Sequence, residues 1–350
     1  MRLLVAVGDG FDVLRLAALL PEFEHGGIIV DVASTIAFGS GTGCVPELAW
    51  RIPQDFARPP SVGSVTAWGE DLFRDVRPDA VVVCGQSPVA VGLALSAARS
   101  GLPVIHIDAG LRSGDLSDRD EIDRVIISRI AALHLAPTEQ ALENLEDEGI
   151  EPERIHFTGS VLAEAVLTST SGSNGGAFAA GRSHSEGGDL VVAVSRNENL
   201  ADADRLRAIA DGVSGCGLDG DVLVSESFSD ASGHVGIAFP ALERPAADLA
   251  EADLVVQVRG AAAVLTDSGD VAEIACVLGV PCVTVLPRTD REATIATGAN
   301  RLVSATPDMV CGAVTDAMAQ RRNWLVPKRW DTAVSSRVLR ALRRGVEPLS

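Results

Sequence analysis

The sequence predicts an α/β protein built from two doubly wound domains, each a parallel sheet covered by helices on both faces. Three observations carry this. The chain has 350 residues, too many for one ordinary core of roughly 100–150 residues. Continuous apolar runs of strand length alternate with helical patterns in both halves, as strands buried on both faces require. Between the two series, residues 168–188 are rich in Ser, Gly and Ala with no apolar period, which is linker composition. The expected organisation is therefore a domain over 1–167, a linker over 168–188, a second domain over 189–331, and a helix within 332–350 that packs back on the body.

The first domain opens with the apolar strand Leu3–Val7, a turn at Gly8-Asp9-Gly10, and Val13, Leu14, Leu16, Leu19 and Leu20 at helical spacing. Further strands are expected at Ala80–Cys84, Pro103–Ile107 and Ala132–Leu135, the last followed by the capped helical stretch Thr138–Gly149. Beyond the linker come a strand at Asp189–Val194, a helix from about Ala201, and strands at Ala261–Thr266 and Pro281–Val285. Val334, Val338, Leu339 and Leu342 give the last segment an apolar stripe. Open sheets of this kind bind ligands beyond the carboxyl ends of their strands, so a ligand cleft is expected between the two domains.

Composition narrows the function. Hydrophobic residues make up 47% and charged residues 22%, enough to bury a large core and exclude disorder for most of the chain. The charge sum, 29 − 48 = −19, repels a phosphate backbone, so nucleic acid is not an expected partner. The opening apolar run stops at Gly8-Asp9, and no stretch reaches membrane-spanning length, so a cytoplasmic protein without a membrane partner is expected. Cys44, Cys84, Cys216, Cys276, Cys282 and Cys311 show no CxxC and no histidine at ligand spacing; they read as reduced core residues. The Gly8-Asp9-Gly10 turn has Val13 where a dinucleotide fingerprint needs glycine, so a nicotinamide site is not supported.

The most informative window is Leu265–Val285, LTDSGDVAEIACVLGVPCVTV. A strand ends near Leu265, Ser268-Gly269 turns, and a helix starts near Asp270. Backbone N–H groups at such a turn form an anion site, Ser268 adds a hydroxyl, and Glu273 one turn in is an acceptor for ribose hydroxyls. The plain alternative is an ordinary strand-turn-helix connection with Asp270 at the helix start.

The run Leu265–Val303 resembles the C-terminal signature of the non-hydrolysing UDP-N-acetylglucosamine 2-epimerases of the GT-B superfamily. HIDAGLRSGDLSDRDEIDRVIISRIAALHLAPT (His106–Thr138) and IHFTGS (Ile155–Ser160) resemble its central signature. The resemblance implies a GT-B fold of two Rossmann-like domains and a nucleoside-diphosphate sugar as ligand. In that family the nucleotide is eliminated across C1 and C2 of the sugar and added back on the other face, which needs titratable groups near C2. Carried over by position, the family's catalytic aspartate falls on Gln86, an amide that takes no proton from carbon. Two family glutamates fall on Asp108 and Asp120, each shorter by roughly 1.5 Å. A histidine falls on Ser195, and the arginine and lysine of the N-terminal loop, beside Asp9, fall on Gly10 and Arg15. The nucleotide-facing positions Ser268, Gly269, Glu273, Thr289 and Arg291 are kept, with Arg112 and Arg196. Asp270 replaces a glycine and adds negative charge at the anion turn, which Arg259 and Arg288 would offset.

A kept nucleotide half with a changed sugar half points to glycosyl transfer from a nucleotide sugar to a small-molecule acceptor. Asp108 or Asp120 is then the base, Gln86 binds a sugar or acceptor hydroxyl, and Ser195 stands in the catalytic set. The alternatives are a 2-epimerase with reworked catalytic residues and a non-catalytic nucleotide-sugar-binding protein. No cofactor and no metal are expected, and the resemblance implies a homodimer. For the carboxylates a structural role stays open: Asp108 as a loop anchor, and Ser117–Arg124 as a helix start with charge pairs such as Asp120–Arg124. Asp118-Arg119-Asp120 lies at a helix start and not at a strand end, which disfavours a metal site. His106, His134 and His156 lie in or at strands and read as core histidines; the tryptophans read as packing residues.

Overall fold

The computed structural model describes residues 1–35, 49–51, 60–171, 189–218, 220–237, 243–246, 251–320 and 323–345. Two compact units form. One is Met1–Thr168 with Lys328–Ser350, the other Ser169–Pro327.

The first unit contains β1 (Arg2–Val7), β2 (Ile29–Ser34), β3 (Ala49–Arg51), β4 (Ala80–Cys84), β5 (Val104–Ile107), β6 (Leu133–Ala136) and β7 (Ile155–Phe157). They form one sheet in the order β3-β2-β1-β4-β5-β6-β7, parallel at every pairing. Its helices are α1 (Gly10–His25), α2 (Val62–Val76), α3 (Pro88–Arg99), α4 (Arg119–Ile130), α5 (Glu139–Asp147) and α6 (Val161–Ser171). The period of two along β1 distributes its side chains. Leu3, Val5 and Val7 join one core cluster with Leu16 and Phe23 of α1, while Leu4 and Ala6 join another with Leu72 of α2 and Leu93 of α3. Burying each such leucine contributes roughly 1.5–3 kcal/mol.

The C-terminal helix Val334–Gly345 belongs to this unit, with Val338 and Leu342 in the same cluster as Leu3. Two contacts fix its approach: the Trp330 indole N–H donates to the Pro137 carbonyl, and the buried Glu164 carboxylate accepts the Ser335 backbone N–H and hydroxyl. Burial pushes the Glu164 carboxyl upward, against the pull of those two donors.

The second unit repeats the scheme with β8 (Asp189–Ala193), β9 (Val222–Ser225), β10 (Glu243–Ala246), β11 (Ala261–Thr266), β12 (Cys282–Thr284) and β13 (Asn300–Leu302). The order is β10-β9-β8-β11-β12-β13, again all parallel. Its helices are α7 (Asn197–Leu200), α8 (Ala203–Gly215), α9 (Glu226–His234), α10 (Glu251–Gly260), α11 (Gly269–Leu278), α12 (Glu292–Ala296) and α13 (Pro307–Ala319); the C-terminal helix is α14. These two Rossmann-like units are those of the GT-B fold.

The differences from expectation are local. The helix expected from about Ala201 is α8, started by the Asp202 carboxylate, which accepts the N–H groups of Asp204 and Arg205, and a short α7 the sequence did not announce precedes it. Of the expected linker, residues 168–171 continue α6, and 172–188 lie outside the described residues, as does Cys44. Cys84, Cys276 and Cys282 are buried, but Cys216 and Cys311 are only half-buried. No helix among the described residues is long and apolar enough to cross a membrane.

Candidate functional site

Each sheet has one place where neighbouring strands lead their connections to opposite sides, and ligands of doubly wound folds bind there. In the first sheet it lies between β1 and β4. Asp9 caps α1 by accepting the Asp12 N–H, and the Asp12 carboxylate accepts the Gly8 N–H. Gly8 permits close contact with the β4 loop: a Cβ there would stand 2.5 Å from the Ser87 hydroxyl. Arg15, one turn into α1, donates from Nε to Asp108 Oδ2 at 2.9 Å and lies 3.5 Å from Asp12. All three charged groups are buried. The turn after β1 thus reaches across to the residue after β5.

Asp108 carries two departures from ordinary structure. Its φ is +60°, a left-handed conformation that an L residue adopts rarely, asparagine and aspartate more readily than most. Its second carboxylate oxygen, Oδ1, is buried with no hydrogen-bond partner among the described residues, a costly arrangement that catalytic groups tolerate. Cys84, at the end of β4, feels the charges of Asp12, Arg15 and Asp108, and burial holds its thiol well above the usual range. It is no nucleophile.

Gln86 follows Gly85 in the same region, half-buried. The Gly85 carbonyl is tied to His106 Nε2 at 3.0 Å. A carbonyl only accepts, so Nε2 carries the proton. Burial, with Arg112 and Arg124 nearby, lowers His106 to about 3, so the ring is neutral. His134, its neighbour in register across the sheet, contacts the Ser128 carbonyl in the same way and is lowered by burial.

Arg112 and Asp120 sit farther along the chain. Arg112 forms a fork with Glu148 and also reaches Ser128. Asp120 is half-buried in the first turn of α4, whose N-cap is Asp118. Sequence reasoning passed over the residue beside it. Buried Glu121 accepts the N–H groups of Ser113 and Gly114 and pairs with buried Arg124 at 2.7 Å, fixing the loop that follows Arg112.

In the second sheet the equivalent place lies between β8 and β11. Ser268 caps α11 through the Val271 N–H. Gly269 is needed for close approach: a Cβ there would stand 2.8 Å from Asp290 Oδ1 and 3.0 Å from Arg291 Cγ. Arg291 is almost fully buried and pairs with three carboxylates, Asp270 at 2.8 Å, Glu273 at 3.1 Å and Asp290 at 2.5 Å. The expected ribose acceptor Glu273 is thus a partner of the nucleotide-facing Arg291. Thr289 is buried and accepts the Arg291 N–H, while Arg288 is exposed on the same loop. Ser195 is exposed and Arg196 half-buried; both donate their backbone N–H groups to Asp267. Arg259, proposed as a charge offset for Asp270, is exposed at the end of α10.

Asp12, Asp267, Asn199 and Asp290 were missed in the sequence. The signals were present: Asp12 and Arg15 lie one helical turn apart, Asp267 precedes the anion turn, and Asp290 neighbours Arg291. Among the described residues no group of three or more His, Cys, Asp or Glu is placed to hold a metal ion.

Comparison with known proteins sets this geometry in context. A family model described as UDP-N-acetylglucosamine 2-epimerase matches residues 54–343. The UDP-N-acetylglucosamine 2-epimerase of Methanocaldococcus jannaschii is 30% identical over 269 residues, 74% of this chain and 74% of that protein. The UDP-2,3-diacetamido-2,3-dideoxy-D-glucuronate 2-epimerase of Pseudomonas aeruginosa is 28% identical over 250 residues, 69% of this chain and 68% of that protein. The crystal structure of the Methanocaldococcus jannaschii enzyme in complex with UDP-GlcNAc and UDP matches with a TM-score of 0.88 and 25% identity, covering 99% of this chain and 100% of that one. These matches correct the expectation of glycosyl transfer, and the small-molecule acceptor falls with it. The physical reason is that the amide at Gln86 removes one proton acceptor, while a buried carboxylate with an oxygen lacking a partner among the described residues remains at Asp108.

Proposed function

The chain belongs to the UDP-N-acetylglucosamine 2-epimerase family, and we propose that it inverts C2 of the sugar in a UDP-linked N-acetylhexosamine. The observation that carries this reading is the 30% identity to a named 2-epimerase over 74% of both chains. The geometry at Asp108 gives it a chemical basis. A base removes hydrogen from C2 as a proton, the C–H electrons form the C1=C2 bond, and the C1–O bond to UDP breaks. In the reverse sense UDP returns to C1 while a proton reaches C2 from the opposite face. Hydrogen leaves and returns as a proton, so the reaction is redox-neutral and calls for no nicotinamide.

Asp108 is the proposed base: Arg15 holds one oxygen and Oδ1 is left without a protein donor among the described residues. Asp120 is the proposed second proton-handling group, and Gln86 a hydrogen-bonding group for the sugar. In the second unit, Ser268, the N–H groups at the start of α11, Arg196, Thr289 and Arg291 are assigned to the diphosphate, where fixed dipoles stabilise the departing charge. Glu273 has the role of holding Arg291. A homodimer is proposed on the resemblance, and a cytoplasmic location on the reading of the cysteines as reduced; light scattering of the purified chain checks the dimer.

The test is incubation with UDP-N-acetylglucosamine and, in parallel, UDP-2,3-diacetamido-2,3-dideoxy-D-glucuronate, with products resolved by NMR. A C2-inverted product from either supports the reading and identifies the sugar class. UDP binding with no inversion of either sugar would favour a binding protein.

A further inference from the structure

One buried carboxylate takes two successive backbone N–H groups of the loop after β8. Asp267 is fully buried at the end of β11, and its Oδ1 accepts the Ser195 N–H at 2.9 Å while Oδ2 accepts the Arg196 N–H at 3.0 Å and the Asn199 side-chain amide at 2.9 Å. Asn199, also fully buried, reaches the Val285 carbonyl after β12 and accepts from Arg205 Nε at 3.0 Å. Thr266 adds a second tie, donating to the Ala193 carbonyl and accepting the Ser268 N–H. The connections after β8, β11 and β12 therefore meet on one carboxylate and one amide.

We infer that Asp267 and Asn199 are a positioning pair that sets the nucleotide-binding geometry of the second unit without touching the ligand. This rests on the proposed function for the identity of the ligand. Neither side chain is exposed, so neither contacts a bound molecule directly. Their effect passes through Ser195 and Arg196 on one side and Ser268 on the other. A neutral amide at position 267 has one acceptor oxygen and one donor group. Placed at Oδ1 it turns the Arg196 N–H and the Asn199 amide against a donor; placed at Oδ2 it does so to the Ser195 N–H. Either way the loop loses an anchor at the charged acceptor, the stronger class of hydrogen bond. Burial raises the Asp267 carboxyl and the three donors oppose that shift, so the anchor is strongest when the group is ionised.

The experiment uses the full chain and UDP as probe. Asp267→Asn should raise the UDP Kd about tenfold or more and raise KM for the nucleotide sugar. Amide exchange at Ser195 and Arg196 should quicken in the same variant. Asn199→Ala, which removes one donor and the link to Val285, should raise the UDP Kd by about threefold or more, and it decides the matter if Asp267→Asn does not fold. A folded Asp267→Asn or Asn199→Ala with UDP affinity within about twofold of the parent overturns the inference. A parent chain that binds UDP but inverts no nucleotide sugar counts against the proposed function alone, because the affinity ratios still decide the positioning role. A parent chain that binds no UDP overturns both.

Discussion

Each unit places a buried aspartate just beyond a strand near its switch point, after β11 in the second unit and after β5, one strand farther from the switch, in the first, and the two are satisfied differently. Asp267, after β11, has both oxygens occupied by N–H donors of a single loop. Asp108, after β5, has one oxygen on Arg15 and one without a partner among the described residues, on a left-handed backbone. A saturated carboxylate has no capacity left for chemistry and acts by holding. An unsaturated one, held on one side by a guanidinium, retains a lone pair for a proton. The same contrast extends to the arginines: Arg291 is shared among three carboxylates, whereas Arg15 lies between two.

The sharpest way to break this contrast is Asp108→Asn. It should lower kcat by about 10²–10⁴ with UDP affinity little changed; wild-type turnover would make Asp108 another structural anchor. Next is Arg291→Ala, which leaves Asp270, Glu273 and Asp290 without their shared cation. It should destabilise the second unit by about 3–5 kcal/mol, read as a fall in its denaturant midpoint, while unchanged unfolding would show that the cluster contributes little. A third prediction concerns pH. His106 titrates near 3 in the folded chain against 6.5 for a free imidazole, so between those values only the unfolded state binds the extra proton. Stability of the first unit should fall on acidification across that window, by about 1.4 kcal/mol per pH unit for one proton. His106→Asn should flatten the slope; an unaltered slope would remove His106 as its source. The smallest effect is expected for Asp270→Asn, whose side chain is 20% exposed. Removing its charge beside the anion turn should tighten UDP binding by about 0.5–1 kcal/mol, and weaker binding would mean that its hold on Arg291 dominates.

What the sequence revealed follows from which interactions are local. β11 at Ala261–Thr266 and the cap at Thr138 were legible because an apolar run and a capping hydroxyl act within a few residues. β2, β9 and β13 passed without notice: Ile29–Ser34 carries an aspartate, buried only because Arg2 of the neighbouring strand pairs with it, and β13 is three residues long. Of the candidate site residues, Arg15, Ser268 and Gly269 lie at the two switch points, and Asp108 and Arg291 follow the next strand along each sheet; their place in a site is the proposal made above. Its wiring was not legible. Arg15 meets Asp108 across 93 positions of chain, and Asp267 meets Asn199 across 68, separations that no periodicity encodes. Function was misjudged for a related reason: one amide at Gln86 was given more weight than a carboxylate whose open oxygen only the fold exhibits.

The proposed reaction breaks and remakes the C2–H bond of a UDP-linked sugar. The direct measurement is the C2 proton signal of UDP-N-acetylglucosamine held with the enzyme in deuterated water. Epimerisation predicts loss of that signal as deuterium enters C2 in both epimers, at a rate that Asp108→Asn suppresses. Full retention of the C2 proton under conditions where UDP binds would contradict the claim for this substrate.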